Sequence, residues 1–98
     1  MNDLYVIVHE RCIQIDIAGS FRENALDVFE EIQRLKRNSR WVSVRREPNL
    51  IPYSLENVGN LFVCGAYLEV CVGQHMRALK KRGYSPRIYE TATLSLFD

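Results

Sequence analysis

Residues 61–72, with the sequence LFVCGAYLEVCV, contain the transition around which the rest of this chain is arranged. Residues 61–64 form a continuous apolar run, which predicts a buried strand, and Gly65 closes that run. A helix is predicted over residues 69–82, where the last turn is basic and Gly83 suits the position just after the helix. Three apolar residues share one face of this helix: Val72, Met76 and Leu79. The segment is therefore a strand, a sharp turn and an amphipathic helix, as in an α/β fold.

The N-terminal part of the chain adds three predicted strands and one predicted helix. Residues 4–8 (LYVIV) are apolar and residues 12–17 (CIQIDI) alternate in polarity, so both are predicted strands, either as a hairpin or as one longer bent strand. Ser20 and Glu23 have the spacing of a capping box, which predicts that a helix begins at Ser20. This helix has an apolar stripe: Ala25, Val28, Phe29, Ile32 and Leu35. Residues 41–44 (WVSV) are predicted to be a further strand.

The C-terminal part is predicted to contain one long loop and a last strand. Residues 45–60 form the loop, because two prolines there do not allow regular strand pairing. Residues 87–91 (RIYET) form the last strand, which the tail, residues 92–98, can extend. Strands that alternate with helices predict parallel pairing. We therefore expect a single α/β domain over residues 1–98, with a small, mainly parallel sheet of four to five strands and two main helices.

The predicted sheet also raises the question of what covers it. Two helices on one face of an Ile- and Val-rich sheet would leave the other face exposed to water. A chain of 98 residues has little else to cover that face. We therefore predict that a second copy of the chain covers it, which gives a homodimer.

Composition excludes several classes of protein. Hydrophobic residues make up 47% of the chain and charged residues 26%, which is typical of a globular protein and not of a disordered one. The net charge of +1 gives no general attraction to nucleic acid or to an anionic membrane. The N-terminus lacks the pattern of a secretory signal, and no apolar stretch reaches the length of a membrane span. We therefore expect a cytoplasmic protein.

The cysteines and histidines predict neither a disulfide framework nor a metal centre. Cys12, Cys64 and Cys71 are odd in number and have no CxxC spacing. The two histidines, His9 and His75, lie far apart in the sequence and form no ligand pair with a carboxylate cluster. We expect no metal and no cofactor.

Cys71 is the residue that we expect to carry chemistry. It falls in the first turn of the predicted helix, where the positive end of the helix dipole lowers the pKa of a thiol. The backbone N–H groups of Val70 and Cys71 are not needed by the helix, so they are candidate donors to an oxyanion. Two simpler interpretations stay open: that Cys71 is a core cysteine, and that His75 is a surface or partly buried residue and not its partner.

These residues carry a resemblance to a known family. The segment GAYLEVCV, residues 65–72, is similar to the nucleophile turn of isochorismatase-like cysteine hydrolases, the group that includes nicotinamidases. That turn has a glycine after a hydrophobic strand and an acidic residue two positions before a Cys-Val pair. The similarity continues through Ala78 and the Gly83-Tyr84 pair to the acidic-Ala-Thr signature within residues 87–93. It covers about residues 61–95 and implies an isochorismatase-like fold, here a truncated Rossmann-like sheet.

The resemblance also implies a mechanism. Members of the family use a Cys-Asp-Lys triad, in which the cysteine attacks a carbonyl carbon and the aspartate transfers the proton. Cys71 matches the nucleophile, and Gly65, Ala66 and Tyr67 match a turn that contains a non-proline cis peptide. The implied substrate is a small amide or a related acyl compound.

The other two members of the triad are placed less directly. The aspartate belongs at the end of the first strand, for which Asp16 is the best candidate. If residues 4–8 are the first strand, however, the position falls on Val8 and the base is missing. No lysine lies between Trp41 and Leu61, so Arg45 or Arg46 is the nearest cation, and Arg46 is assigned as the electrostatic substitute for the lysine.

Two alternative functions stay open. The first is a non-catalytic relative that acts by self-association or by binding a protein partner. The second and weaker one is a nucleic-acid-binding module that uses a basic cluster near the end of the second helix. That cluster consists of Arg77, Lys80, Lys81, Arg82 and Arg87.

Overall fold

Four parallel strands form one sheet in a computed structural model that describes residues 2–44 and 58–97. They are β1 (Asn2–Val8), β2 (Arg40–Val44), β3 (Val58–Ala66) and β4 (Arg87–Leu94). Their order across the sheet is β2-β1-β3-β4, and each neighbouring pair is parallel. The predicted α/β class and parallel sheet are therefore confirmed. Most of the predicted 45–60 loop lies outside the described residues, but its last three residues belong to β3.

The described residues contain three helices, where two main helices were predicted. These are α1 (Glu10–Gly19), α2 (Ala25–Asn38) and α3 (Gly73–Lys81). A π-helical turn, Leu68–Val72, leads directly into α3, so the predicted helix over residues 69–82 is present with a wider first turn. None of these helices has the length and apolar character needed to cross a membrane.

The predicted strand over residues 12–17 is wrong, because this segment is the middle of α1. Its three isoleucines favour a strand by β-propensity, but that preference is weak beside tertiary packing. In the helix, Ile13 and Asp16 face inward as an i, i+3 pair, while Ile15 points outward and is 54% exposed. Neither the hairpin nor the bent strand is present.

The predicted capping box is also wrong. Ser20 ends α1 and does not begin α2: it has the left-handed conformation, φ 53°, and its N–H donates to the carbonyl of Ile17 at 3.2 Å. The next N–H, of Phe21, donates to the carbonyl of Asp16 at 3.0 Å, which completes a Schellman motif. Helix α2 begins later, at Ala25, and its apolar stripe packs in the core as predicted.

Helices cover both faces of the sheet. On one face, the buried residues of α1 and α2 pack with Ile7 and Cys64. On the other face, Val72 and Leu79 of the helix after β3 pack with Val6, a neighbour of Ile7 in the alternating pattern of β1. The homodimer was predicted because one face of the sheet was expected to lack a covering helix. In the described residues both faces have one, and the homodimer stays a prediction.

The strand order creates a switch point between β1 and β3. The chain passes from β1 to its neighbour β2 on one side, and from β3 to its neighbour β4 on the other side. In open parallel sheets, ligands bind outside the carboxyl ends of the strands at such a point. The first residues beyond these ends are His9 after β1 and Tyr67 after β3. The strand, turn and helix around Cys71 therefore lie at the edge where this fold places binding sites.

Candidate active site at the carboxyl edge of the sheet

The turn after β3 depends on a glycine. Gly65 lies beside Val8 in the register of β3 with β1, and its φ is +107°. A Cβ at this position would lie 2.1 Å from the carbonyl oxygen of Val8, so a larger residue does not fit without moving the backbone. The peptide bond between Ala66 and Tyr67 is cis and does not involve proline, as the resemblance implied for this turn.

Cys71 lies in the π-helical turn that follows and is half-buried. It packs, with Leu68 and Met76, against the hydrophobic cluster on the α3 face of the sheet. The amides of Val70 and Val72 donate to the carbonyl of Tyr67 at 3.0 and 3.1 Å. The Val70 amide was predicted to be available to an oxyanion, and the structure corrects this, because the turn itself uses that donor.

Asp16 is placed differently from the prediction. It lies in the last turn of α1 and not at the end of a strand, and it is only 3% exposed. Its Oδ2 accepts a hydrogen bond from the Tyr67 hydroxyl at 2.8 Å and forms an ion pair with Arg22 at 3.1 Å. The first strand ends at Val8, so the position that the resemblance gives to the base holds an apolar residue.

The three side chains form a compact network. The Arg22 guanidinium stacks over the Tyr67 ring, with 4.9 Å from its central carbon to the ring centre. Burial, followed by the hydrogen bond to Asp16, raises the pKa of Tyr67 to about 12. The hydroxyl therefore stays protonated at neutral pH and acts as a donor to the carboxylate. A buried carboxylate needs such partners, since an unpaired buried charge is costly.

The predicted site residues are thus brought together only in part. Tyr67, with Asp16 on its hydroxyl, packs against the cluster on the α1 and α2 face, whereas Cys71 packs against the cluster on the opposite face. Tyr67 links the two, because its side chain holds Asp16 and its carbonyl holds the turn with Cys71. Arg46, the predicted cation, lies outside the described residues.

The other candidate residues lie in the core or pack against it. Cys64 is fully buried in β3, and burial raises the pKa of its thiol to about 12. Cys12 is half-buried on α1 and packs against the same cluster. His75 is 1% exposed, so the interpretation as a surface residue is wrong. In the parts of the chain that the structure describes, no three His, Cys, Asp or Glu side chains could hold a metal ion together.

A polar cavity of about 380 Å³ lies between α1, α2 and β2. Inside it, Glu10 accepts hydrogen bonds from Lys36 at 2.6 Å and from Gln33 at 2.8 Å. The described lining residues are Glu10, Arg11, Gln14, Phe29, Gln33, Lys36 and Ser43, and Cys71 is not among them. This cavity is therefore separate from the candidate nucleophile.

Sequence reasoning missed two residues of this edge, Arg22 and Glu69. Arg22 holds Asp16, and Glu69 holds the chain just after β4. The sequence marks Glu69 only as the acidic residue two positions before the Cys-Val pair. Arg22 gave no signal, because its position inside an apparent capping box suggested a helix start.

Comparisons of this chain with protein-family models, with curated proteins and with solved structures found no match.

Proposed function

We propose that this chain is an isochorismatase-like cysteine hydrolase that acts on a small amide or a related acyl compound, with Cys71 as the nucleophile. The observation that carries the proposal is the position of this thiol. Cys71 is half-buried in the first helical turn after β3, at the switch point of a parallel sheet. That edge is where such folds bind their ligands, and a helix start favours the thiolate.

The proposed chemistry is acyl transfer through a thioester. The Cys71 thiolate attacks the carbonyl carbon, a C–S bond forms, and the electron pair of the C=O bond moves to oxygen. When the intermediate collapses, the C–N bond breaks and the amine leaves with the proton taken from the thiol. Water then hydrolyses the thioester and regenerates the thiol.

The supporting roles are assigned to Asp16 and Arg46. Asp16 is the proposed base, and its Oδ2 accepts hydrogen bonds from both Tyr67 and Arg22. Arg46 is the proposed positive charge near the thiolate. The proposed compartment is the cytoplasm, since all three cysteines are free thiols and thiols persist where the environment is reducing.

An acylation experiment tests this function. The protein is mixed with p-nitrophenyl acetate, p-nitrophenolate release is followed, and the acetylated residue is located by peptide mass spectrometry. We expect a burst of one equivalent and an acetyl group on Cys71, both lost in Cys71→Ser and kept in the matched control Cys12→Ser. Acetylation that is absent, or equal at Cys12 and Cys71, rejects the function.

A second candidate function is that of a non-catalytic relative acting by self-association. It is favoured because polar groups of the edge are satisfied within the chain, as Asp16 and the Val70 amide show. Two aromatic side chains near the edge also face solvent, with Phe21 67% and Phe97 84% exposed. Light scattering with size exclusion tests it: a dimer that Phe97→Ser dissociates supports this function, and a monomer at all concentrations rejects it.

A further inference from the structure

The chain just after β4 crosses the carboxyl edge beside the Cys71 turn. Leu94, the last residue of β4, pairs with Ala66, the last residue of β3. Residues 95–97, which we name the C-terminal strap, therefore leave the sheet at the level where the turn begins. The strap is held from two sides, and both holders belong to the edge described above.

Glu69 holds the strap from the side of Cys71. One carboxylate oxygen, Oε2, accepts from the Ser95 hydroxyl at 2.5 Å, and the other, Oε1, accepts from the Leu96 N–H at 2.8 Å. The Ser95 hydroxyl oxygen in turn accepts from the Phe97 N–H at 3.1 Å. Both carboxylate oxygens of Glu69, a residue of the π-helical turn, therefore bind the strap.

Arg22 holds the strap from the side of Asp16. Its Nε donates to the carbonyl of Ser95 at 3.1 Å, while another guanidinium nitrogen pairs with Asp16. The strap therefore connects the turn that carries Cys71 to the network around Asp16. In sequence these partners are far apart, so only the folded chain joins them.

We propose that Glu69 is a positioning residue, which clamps the C-terminal strap and thereby fixes the turn that carries Cys71. Glu69 lies two positions before Cys71 in the same helical turn. Its carboxylate is ionised, because the Ser95 hydroxyl and then the Leu96 N–H lower its pKa. Hydrogen bonds to an ionised group are stronger than those between neutral groups, so this pair of bonds is suited to holding a turn at the surface.

The use of Cys71 rests on the proposed function, but the clamp does not. Amide hydrogen exchange measures the clamp without any catalysis. The reporters are the amides of Val70 and Val72, both bonded to the Tyr67 carbonyl within the turn. If the exchange rates change as proposed but the acylation test fails, only the hydrolase function is rejected. If the acylation test succeeds but the exchange rates do not change, only the clamp is rejected.

The experiment compares Glu69→Gln, Ser95→Ala and the double variant. Gln keeps the length of the side chain but replaces one of the two acceptor oxygens with an NH₂ donor, so it cannot form both bonds as Glu69 does. We expect each single variant to speed exchange at Val70 and Val72 about threefold, the scale of a lost charge-assisted hydrogen bond at a solvent-exposed site. In the double variant, Val70 and Val72 should exchange no faster than in the faster single variant, because both substitutions break the same contact and their effects do not add.

The matched controls are Glu90→Gln and Ser85→Ala, at two exposed residues. In these variants Val70 and Val72 should exchange as fast as in the unmodified chain. The clamp also predicts faster alkylation of Cys71 in both clamp variants and in neither control. Exchange at Val70 and Val72 that stays unchanged in Ser95→Ala, or rates that multiply in the double variant, would overturn the proposal. Ser95→Ala removes one surface hydroxyl contact, so it keeps the test decisive if Glu69→Gln does not fold.

Discussion

Cys64 and Cys71 lie seven positions apart on one stretch of chain, in opposite surroundings. Cys64 is fully buried in β3, with its Sγ 3.7 Å from the carbonyl of Val6, and burial raises the pKa of its thiol to about 12. Cys71 is half-buried in a helical turn at the carboxyl edge. The difference teaches that one sharp turn, at Gly65, converts a core position into an edge position with access to solvent.

The largest expected effect therefore comes from Gly65→Ala. A methyl group would meet the Val8 backbone at 2.1 Å, in addition to the strain of φ +107°. We expect a loss of about 4 kcal/mol or more in the free energy of unfolding, measured with urea. Gly83→Ala is the matched control: its φ is +90°, but the added Cβ would have no atom within 4 Å. It should cost about 1 kcal/mol, and equal losses at both glycines would contradict this account of the turn.

The buried cysteine predicts a loss of stability at alkaline pH. The pKa of Cys64 is raised from 9.0 to about 12 in the folded state, so above pH 9 the unfolded chain loses its proton first. The stabilisation is complete below pH 9 and is lost as pH rises toward 12, at up to about 1.4 kcal/mol per pH unit.

Urea unfolding between pH 9 and 10 checks this dependence. Cys64→Ala should remove this part of the pH slope, whereas Cys71→Ala should keep it. The window ends at pH 10 because Tyr67, whose pKa is also raised to about 12 from 10.0, contributes above that value. A slope that is the same in both alanine variants would show that the two thiols do not differ as described.

A smaller effect separates the two functions of Tyr67. Tyr67→Phe removes the hydroxyl that donates to buried Asp16 but keeps the carbonyl that holds the Cys71 turn. We expect a loss of about 1–2 kcal/mol in the free energy of unfolding, with alkylation of Cys71 unchanged. Tyr84→Phe, at an exposed tyrosine, should change stability by less than about 0.5 kcal/mol. Faster alkylation of Cys71 in Tyr67→Phe would mean that the side chain also fixes the turn.

The regions around the two cysteines also differ from α1 in how well they could be predicted. The strand, turn and helix of residues 61–82 follow from local signals: an apolar run, a glycine and a period of 3.6 residues. Gly83 ends α3 as expected, with the Tyr84 N–H donating to the carbonyl of Leu79 at 3.1 Å. Helix α1 could not be predicted, because Ile13, Ile15 and Ile17 fit a strand and only tertiary packing decides for the helix.

The candidate site was less predictable than the fold. The position of Cys71 follows from the chain around it, but its surroundings depend on residues that are distant in sequence. Arg22 bonds to the carbonyl of Ser95, 73 positions later, and Asp16 meets Tyr67 across 51 positions. No local pattern encodes such pairs. The inward position of Asp16 itself depended on the assignment of α1 as a helix.

Alkylation with iodoacetamide at pH 7 tests the central claim, that Cys71 and Cys64 differ in reactivity because of where the Gly65 turn places them. The rate at each cysteine is read by peptide mass spectrometry on the folded protein, with urea-unfolded protein as the reference. A raised pKa and full burial leave Cys64 almost no accessible thiolate. We predict that Cys71 reacts faster than Cys12 and on the order of 10³-fold faster than Cys64. Slow and equal alkylation of all three cysteines would contradict the account.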